Sequence, residues 1–471
     1  MGTSRILKRE NIKKGRNGMV KELSRMFLII PEIKELLSQN RKDELKDLFY
    51  EYEPVEVAEA LKEFTLKDRV ILFSLCDIDF AADVFEKMDK DDQLNLLGAI
   101  DERRKSDILD ELAPDERVDL FEEMPEEMVA RFLAIMEKEE ARDARELLKY
   151  DPSTAGGRMT TDFARVQEGI NVEETLDNLR KTAKDLEMVY YVYVLDKDNK
   201  LVGVVSLKDL ILAEPKERIN KVMHTKLIII PVDMDQETAA KEIAKYDFMA
   251  LPVVDNGKMK GIITVDDVID VIREENTEDM YKFGAAGRHQ ENYMAMKPSF
   301  IAKHRVLYLT IFVLMDFFSG MILKNYSFAL NSVVALAFFI PLLMDTGGNA
   351  GTQAASVMVR GLATGEVGIK DIWNVVRKEF IIGIMIGVVL GIIALIRALI
   401  LQKNPWLTAT VGLTMIITVT LATCLGSFLP IIFKRLGFDP ALISGPLITT
   451  IVDITCLIVY FEIAIHLLGI A

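Results

Sequence analysis

Beyond Arg305 the alternation of apolar and polar positions gives way to long apolar runs. Five of them, Leu307–Leu323, Phe328–Met344, Phe380–Leu401, Leu407–Phe433 and Ala441–Ile470, are long enough to cross roughly 30 Å of hydrocarbon. Before Tyr150 the pattern is amphipathic and repeats every 24 residues: Lys67-Asp68-Arg69-Val70 returns as Asp91-Asp92-Gln93-Leu94, Asp115-Glu116-Arg117-Val118 and Glu139-Glu140-Ala141-Arg142. Two short helices per period predict a helical solenoid, stable only by stacking on its neighbours. From Asp151 short strands alternate with helices, and a strand, turn, strand, helix pattern recurs after 58 residues. The pattern divides the chain into a helical-repeat domain (1–150), two α/β units (151–212 and 213–275), a connecting helix (276–304) and a five-helix transmembrane domain (305–471). The fold class is a multidomain membrane protein.

Charge sharpens the division. Residues 299–471 carry 11 Lys+Arg against 8 Asp+Glu, while residues 1–298 carry 46 against 64 and a net charge of −18. An acidic half joined to an apolar half excludes a simple soluble enzyme, and like charge disfavours nucleic acid as a partner. Basic residues mark the sides of the membrane: Lys303, Arg305, Arg360, Lys370, Arg377, Lys378, Lys434 and Arg435 fall on one, and Lys324, Arg397 and Lys403 on the other. The positive-inside rule then puts the N-terminal half in the cytoplasm and the C-terminus outside. The basic N-terminus, with Arg5, Lys8, Arg9, Lys13 and Lys14, has no apolar run of signal-peptide length. Three cysteines (Cys76, Cys424, Cys456) and four histidines (His224, His289, His304, His466) show no ligand spacing, against a zinc or copper site.

The acids inside the spans carry the chemistry. Asp453 lies mid-span, and Thr449, Thr450 and Asp453 share one helical face. An acid at that depth normally faces a bundle interior or a pathway, although an interhelical hydrogen bond would also accommodate it. Asp316 and Glu462 leave packing and pathway equally open. Gly383, Gly387 and Gly391 form a repeated GxxxG, read as close helix packing. Pro341 and Gly347-Gly348 are expected to break the second span, as unwound backbone lining a cavity. Asp345, Asn349 and Asp453 offer hard oxygens, which suit Mg²⁺, Mn²⁺ or Ca²⁺.

In the duplicated α/β region, Gly203/Ser206/Asp209 and Gly261/Thr264/Asp267 match the Gly-x-x-[Ser/Thr]-x-x-Asp close of a tandem CBS pair, which this region resembles. A hydroxyl followed three residues later by Asp is also a helix N-cap. The resemblance implies adenosine-nucleotide contacts at Ser206, Asp209 and Thr264, with ATP as a ligand, and both roles stay open. Asp267, Asp270, Glu274 and Glu278 form an acidic stripe on one helix face, flanked by Glu275 and Asp279. Such a stripe needs either full hydration or bound cations.

The order of domains, with Met344-Asp345-Thr346-Gly347-Gly348-Asn349-Ala350-Gly351-Thr352-Gln353 and with Gly445-Pro446 leading to Asp453, resembles the MgtE family of magnesium channels. The resemblance implies a homodimer in lipid, in the cytoplasmic (inner) membrane, with Mg²⁺ in a pore site at Asp453 and Asn349. It implies a sensor that closes the pore, with ligands at Asp235, Glu237, Asp247, Asp267, Asp270, Glu275, Glu278 and Asp279, and a facing acid at Asp439. The helical-repeat acids stay unassigned. A secondary transporter for another divalent cation (Mn²⁺ or Co²⁺) or solute and a membrane-anchored metal sensor are the rivals. No nucleophile–base pair or Gly-x-x-x-x-Gly-Lys-[Ser/Thr] loop points to an enzyme.

Overall fold

The computed structural model describes residues 29–184, 186–286, 296–443 and 445–470. The basic N-terminus and residues 287–295, in the middle of the expected connecting segment, lie outside the described residues. The chain divides into two compact units at Ile272/Arg273.

In the first unit, ten helices, from α1 (Ile30–Ser38) to α10 (Lys138–Leu147), stack as short amphipathic pieces. Thr65, Asp77 and Asp101 each cap one of these helices by accepting from the backbone N–H three residues on, which satisfies one donor of its first turn. The 24-residue period becomes a physical ladder. Arg69 pairs with Asp92 at 2.5 Å, and Arg117 pairs with Glu140 at 2.6 Å. Each guanidinium reaches the acid at the start of the next repeat. At the equivalent position between them, Gln93 donates instead to the Phe85 carbonyl at 2.7 Å.

The α/β part forms two three-stranded sheets of identical topology. In the first, β1 (Phe163–Gln167) is parallel to β2 (Met188–Leu195), which is antiparallel to β3 (Leu201–Ser206). Helices α11 (Val172–Thr182), α12 (Leu207–Leu212) and α13 (Ile219–Val222) accompany it. The second comprises β4 (Ile230–Pro231), β5 (Ala250–Asp255) and β6 (Lys258–Thr264), with α14 (Gln236–Tyr246) and α15 (Val265–Phe283). Strand pairing crosses the numerical boundary at residue 213. Thr160 bridges Ile262 in the second sheet, and His224 bridges Val204 in the first. The motif glycines make this exchange fit: a Cβ at Gly203 would collide with Met223, and one at Gly261 would lie 2.5 Å from the Thr160 carbonyl oxygen. Val118 and Leu147 of the helical repeats share a core with Ile230, Leu251, Ile263 and Val268 of the second sheet and its helix. The Lys260–Glu146 pair at 3.0 Å and the Arg158–Asp119 pair at 3.1 Å reinforce that join.

One expected boundary moves. Helix α15 runs past residue 275 to Phe283 without a break, so no separate helix begins at 276.

The second unit contains five helices long and apolar enough to cross a membrane, Pro298–Asn325, Val334–Ala363, Ile369–Gln402, Pro405–Arg435 and Gly445–Leu468. They are built on α16 (Pro298–Asn325), a short α17 (Ser327–Ser332), α18 (Ile340–Ala363), α19 (Ile372–Gln402), α20 (Pro405–Arg435) and α21 (Gly445–Leu468). The expected break in span two is absent at Gly347-Gly348, where α18 is continuous. Pro341 opens that helix, at a position where its missing N–H costs nothing. The irregular backbone lies before it, in the 3₁₀ turn Val334–Phe338. The glycines serve contact instead: a Cβ at Gly348 would lie 2.8 Å from Thr449, and Gly426 of α20 presses against the Gly351 carbonyl. The GxxxG reading holds, since a Cβ at Gly383 would meet Thr423 at 2.5 Å and one at Gly387 the Ile416 carbonyl oxygen at 2.9 Å.

Candidate functional sites

In the membrane unit, span two presents a polar stripe that its own chain leaves uncovered. Asp345, Asn349, Gln353, Ser356 and Arg360 are all exposed, at spacings that keep them on one side of α18, while Gly347, Gly348, Gly351, Ala354 and Ala355 bury the other side. A polar stripe on an apolar helix is costly against lipid and belongs against protein or water. Asp453 projects from the middle of α21, half-buried, and its Oδ1 is buried without a hydrogen-bond partner. The charges of Asp316 on α16 and Asp345 on α18 act on it. Three spans therefore bring one acid each to a common region. The interhelical hydrogen bonds that hold the helices are made by other groups: Thr352 and Thr449 hydroxyls lie 3.3 Å apart, and the Tyr460 hydroxyl donates to the Leu336 carbonyl at 3.0 Å. Glu462 accepts from the Tyr326 hydroxyl at 2.5 Å.

The soluble acids fall into three sets. Asp235 and Asp247 stand at opposite ends of α14: Asp235 caps it, accepting from Thr238 N at 3.0 Å, and Asp247 ends it in a left-handed conformation, φ 55°. Glu237 pairs with Lys241 at 2.7 Å. A second set meets the helical repeats. Asp267 and Asp270 of α15 face Asp115 and Glu116 at the start of α8 (Pro114–Glu122), close enough for charge to act between them. The third set, Glu275, Glu278 and Asp279, lies farther along α15 in the second unit.

The second set is electrostatically strained. Burial, then the charges of Asp267, Glu187 and Glu116, push the Asp115 carboxyl well above the usual carboxylate range, and its Oδ1 is buried without a hydrogen-bond partner. Burial also raises Glu116, and raises Glu86 at the end of α5 (Ile78–Glu86) despite a hydrogen bond from Ala113 N at 3.2 Å. Asp267 is pushed up to about 6 by burial and by Asp266, against the opposing hydrogen bonds from Thr264. Among the described residues, no three acidic, histidine or cysteine side chains of one chain form a ready metal cage.

Sequence reading left these helical-repeat acids unassigned, although a signal was present. The ladder supplies Arg to Asp92 and to Glu140, whereas the position that would serve Glu116 is Gln93. Glu116 pairs with Lys90 instead, at 3.7 Å.

The two CBS motifs diverge. Ser206 donates to Asp209 Oδ2 at 2.6 Å, His224 Nε2 lies 3.2 Å from the same oxygen, and the Ser206 hydrogen bond with the His224 contact holds Asp209 below the usual range. Ser206 and Asp209 line a cavity of about 630 Å³ with Tyr191, His224, Lys226 and Phe248. Thr264 is not part of it. That side chain is 2% exposed and donates to Asp267 Oδ2 at 2.5 Å, and the Thr264 backbone N–H donates to the same oxygen at 3.2 Å. The structure thus sets the buried Thr264 apart from the cavity that Ser206 and Asp209 line. Asp439 caps the turn Pro440–Leu442, with Oδ1 accepting from Ala441 N at 2.8 Å, and its Oδ2 lies 2.5 Å from Lys282.

Comparison with known proteins matches this arrangement part by part. The MgtE divalent cation transporter family matches residues 340–463, the MgtE intracellular N domain residues 52–153, and CBS domains residues 155–216 and 219–274. Magnesium transporter MgtE of Thermus thermophilus is 36% identical over 436 residues, covering 92% of this chain and 97% of that protein. The protein of the same name from Bacillus subtilis is 34% identical, covering 91% and 95%. A crystal structure of the soluble part of a magnesium transporter, 34% identical, covers 53% of this chain and 99% of that one with a TM-score of 0.51. Helical repeats, CBS pair and five spans thus share both sequence and order with these transporters, and the chain belongs to the MgtE family.

Proposed function

We propose that the chain is a homodimeric, Mg²⁺-selective channel for magnesium uptake, closed by cytoplasmic Mg²⁺. The observation that carries this reading is the gathering of Asp316, Asp345 and Asp453 beside the uncovered polar stripe of span two. A second copy laid against that stripe encloses it between the two chains, which supports the homodimer. One acid per span with amide and hydroxyl oxygens suits an ion that keeps most of its waters, as Mg²⁺ does. Asp453 and Asn349 are the residues assigned to the passing ion. An inside-negative potential draws each charge inward by about 2.3 kcal/mol per 100 mV, doubled for a divalent ion.

The regulatory reading rests on the strained acids. Without divalent ions, Glu86, Asp115, Glu116, Asp267 and Asp270 repel across the contact between helical repeats and second CBS unit. Mg²⁺ between them relieves the repulsion and favours the closed contact. Asp235, Glu237, Asp247, Glu275, Glu278 and Asp279 extend this sensor, and several of them need a second chain or a moved one to complete a ligand shell. The cavity at Ser206 and Asp209 is offered to ATP: Tyr191 and Phe248 suit a base, Lys226 a phosphate. The distribution of basic loops supports a cytoplasmic sensor.

Reconstitution into liposomes with a Mg²⁺-sensitive dye tests the function. Uptake that rises with inside-negative potential and falls as lumenal Mg²⁺ bathes the sensor supports a gated channel. Uptake that requires an H⁺ or Na⁺ gradient would favour the secondary-transporter reading.

A further inference from the structure

Span three begins with two turns that extend beyond the hydrocarbon. Helix α19 has 31 residues, about 46 Å at 1.5 Å each, against roughly 30 Å of hydrocarbon. Its apolar run starts at Phe380, so residues 372–379 and the 3₁₀ turn Ile369–Asp371 before them stand at the depth of lipid headgroups, on the side of the basic loops. One side of this stretch is packed. Ile372 and Val375 join Met358 and Leu362 of α18 and Ile431 of α20, and the Glu379 carbonyl accepts from the Thr423 hydroxyl at 3.2 Å.

The other side carries Lys370, Trp373 and Arg377, at spacings of three and four and all exposed, Trp373 at 77%. Among the described residues, neither Lys370 nor Arg377 makes an ion pair or a hydrogen bond. The charges around them are engaged. Lys434 donates to the Leu362 carbonyl at 2.8 Å, and Asp371 accepts from Gly368 N at 2.9 Å. Lys378 acts on Glu379, whose own charge reaches Cys424 of α20. Toward the hydrocarbon the face of Arg377 continues as Phe380, Ile384 and Val388, all exposed.

Two unpaired cations, an indole between them and an apolar strip below match the parts of one phospholipid. A guanidinium forks onto phosphate oxygens, an indole settles at the headgroup boundary, and an acyl chain covers the strip. A zwitterionic lipid brings its own cation to the phosphate, so a lipid of net negative charge gains more from the two bases. A free phosphate would leave Trp373 and the strip uncovered. A signal for membrane orientation needs charge on this side but no particular helix face.

We propose that Lys370, Trp373 and Arg377 form a site for an anionic phospholipid, seated on the inner end of span three where that span packs on spans two and four. The site is independent of what crosses the membrane.

The chain has two tryptophans, Trp373 and Trp406, and fluorescence can read them separately. In liposomes, the full chain with Trp406→Phe reports on Trp373 alone, and phospholipids with brominated acyl chains quench it on contact. Brominated phosphatidylglycerol should quench at about tenfold lower mole fraction than brominated phosphatidylcholine. Lys370→Gln and Arg377→Gln should each weaken that preference by about fivefold, and together remove it. Arg377→Gln with Thr364→Arg keeps the charge of the loop between spans two and three, and should lose as much as Arg377→Gln alone. Trp373→Phe leaves Trp406, at the other end of the spans, which should show no preference. Equal quenching of Trp373 by the two lipids overturns the proposal. Full preference in the relocated variant also overturns it, since diffuse attraction to charge would then suffice. Inorganic phosphate at constant ionic strength should leave the preference intact, and its loss would make this a free-anion site instead of a lipid site. If the double variant does not insert, the relocated variant decides between site and diffuse charge.

Discussion

The soluble and membrane units both gather carboxylates, and they hold them in opposite ways. In the membrane unit Asp316, Asp345 and Asp453 come from three different spans, and the helices carrying two of them pack closely, with Gly348 and Gly351 of α18 against the Thr449 and Val452 side chains of α21. In the soluble unit Asp115, Glu116, Asp267 and Asp270 come from surfaces joined by one shared core and by two partly exposed ion pairs, Lys260–Glu146 and Arg158–Asp119. Partly exposed pairs contribute little, about 0–1 kcal/mol each, so this join is sensitive to the repulsion it contains. A rigid set of acids makes a conduit, and a set on a separable contact makes a switch.

The largest expected effect separates the two. Asp453→Ala should reduce Mg²⁺ uptake to that of empty liposomes, while Mg²⁺ still raises the melting temperature of the full chain through the soluble acids. Uptake at the parental rate would remove Asp453 from the conduit. Asp453→Asn keeps shape and one ligating oxygen, and the difference between the two variants measures the part due to charge.

Rigidity of the conduit is broken next. Gly426→Ala places a methyl group against the Gly351 carbonyl of the neighbouring helix, where only backbone movement makes room. A loss of about 1–3 kcal/mol, read from thermal unfolding in detergent, is expected. No change would mean that α18 and α20 are held less tightly than the crossing implies.

The switch has its own signature in pH. Asp267 ionises at about 6 in the folded chain against 3.8 for an unperturbed Asp, so between those values the folded state holds a proton that the unfolded state has lost. Stability without divalent ions should therefore rise as pH falls from 7 toward 4, by on the order of 2 kcal/mol from this group. Asp267→Asn should flatten that slope, and saturating Mg²⁺ should abolish it in the parent. Chemical denaturation at a series of pH values gives the answer, and a slope untouched by Asp267→Asn would assign the strain elsewhere.

Gln93→Arg completes the ladder and supplies a guanidinium to Glu116. It should stabilise the metal-free protein by about 1 kcal/mol and weaken the Mg²⁺ response; an unchanged response would leave Glu116 outside the switch. The smallest effect concerns the cavity. Ser206→Ala should weaken ATP binding measured by calorimetry on the full chain, and Thr264→Val should not. Equal losses would put nucleotide at both motifs.

Much of the fold was legible because it rests on local periodicity. The spans follow from apolar runs, the solenoid from a 24-residue repeat, and the CBS pair from a 58-residue duplication. The site was legible only in part. Asp453 stood out because an acid in an apolar span is rare on energetic grounds, and the stripe on α15 because helical spacing is visible in sequence. Asp115 and Glu116 did not stand out among 72 acidic residues, since their strain depends on which surface covers them. The glycines of span two misled for a related reason: glycine signals either a break or a close contact, and only the neighbouring helix decides which.

What the sequence determined by itself is therefore the set of parts: five spans, the basic loops between them, an acidic soluble half and the residue types suited to a hard divalent ion. These follow from the transfer cost of each side chain and from hydrogen bonding within a single element, which need no knowledge of neighbours. Tertiary structure alone decided three further matters. It buried Thr264 while leaving Ser206 on a cavity, set Asp267 against Asp115, and placed Lys282 between Glu278 and Asp439. Each is a statement about two surfaces far apart in the chain. Charge and burial act through space, so whether a carboxylate is capped, crowded or paired is fixed only when the distant surface arrives.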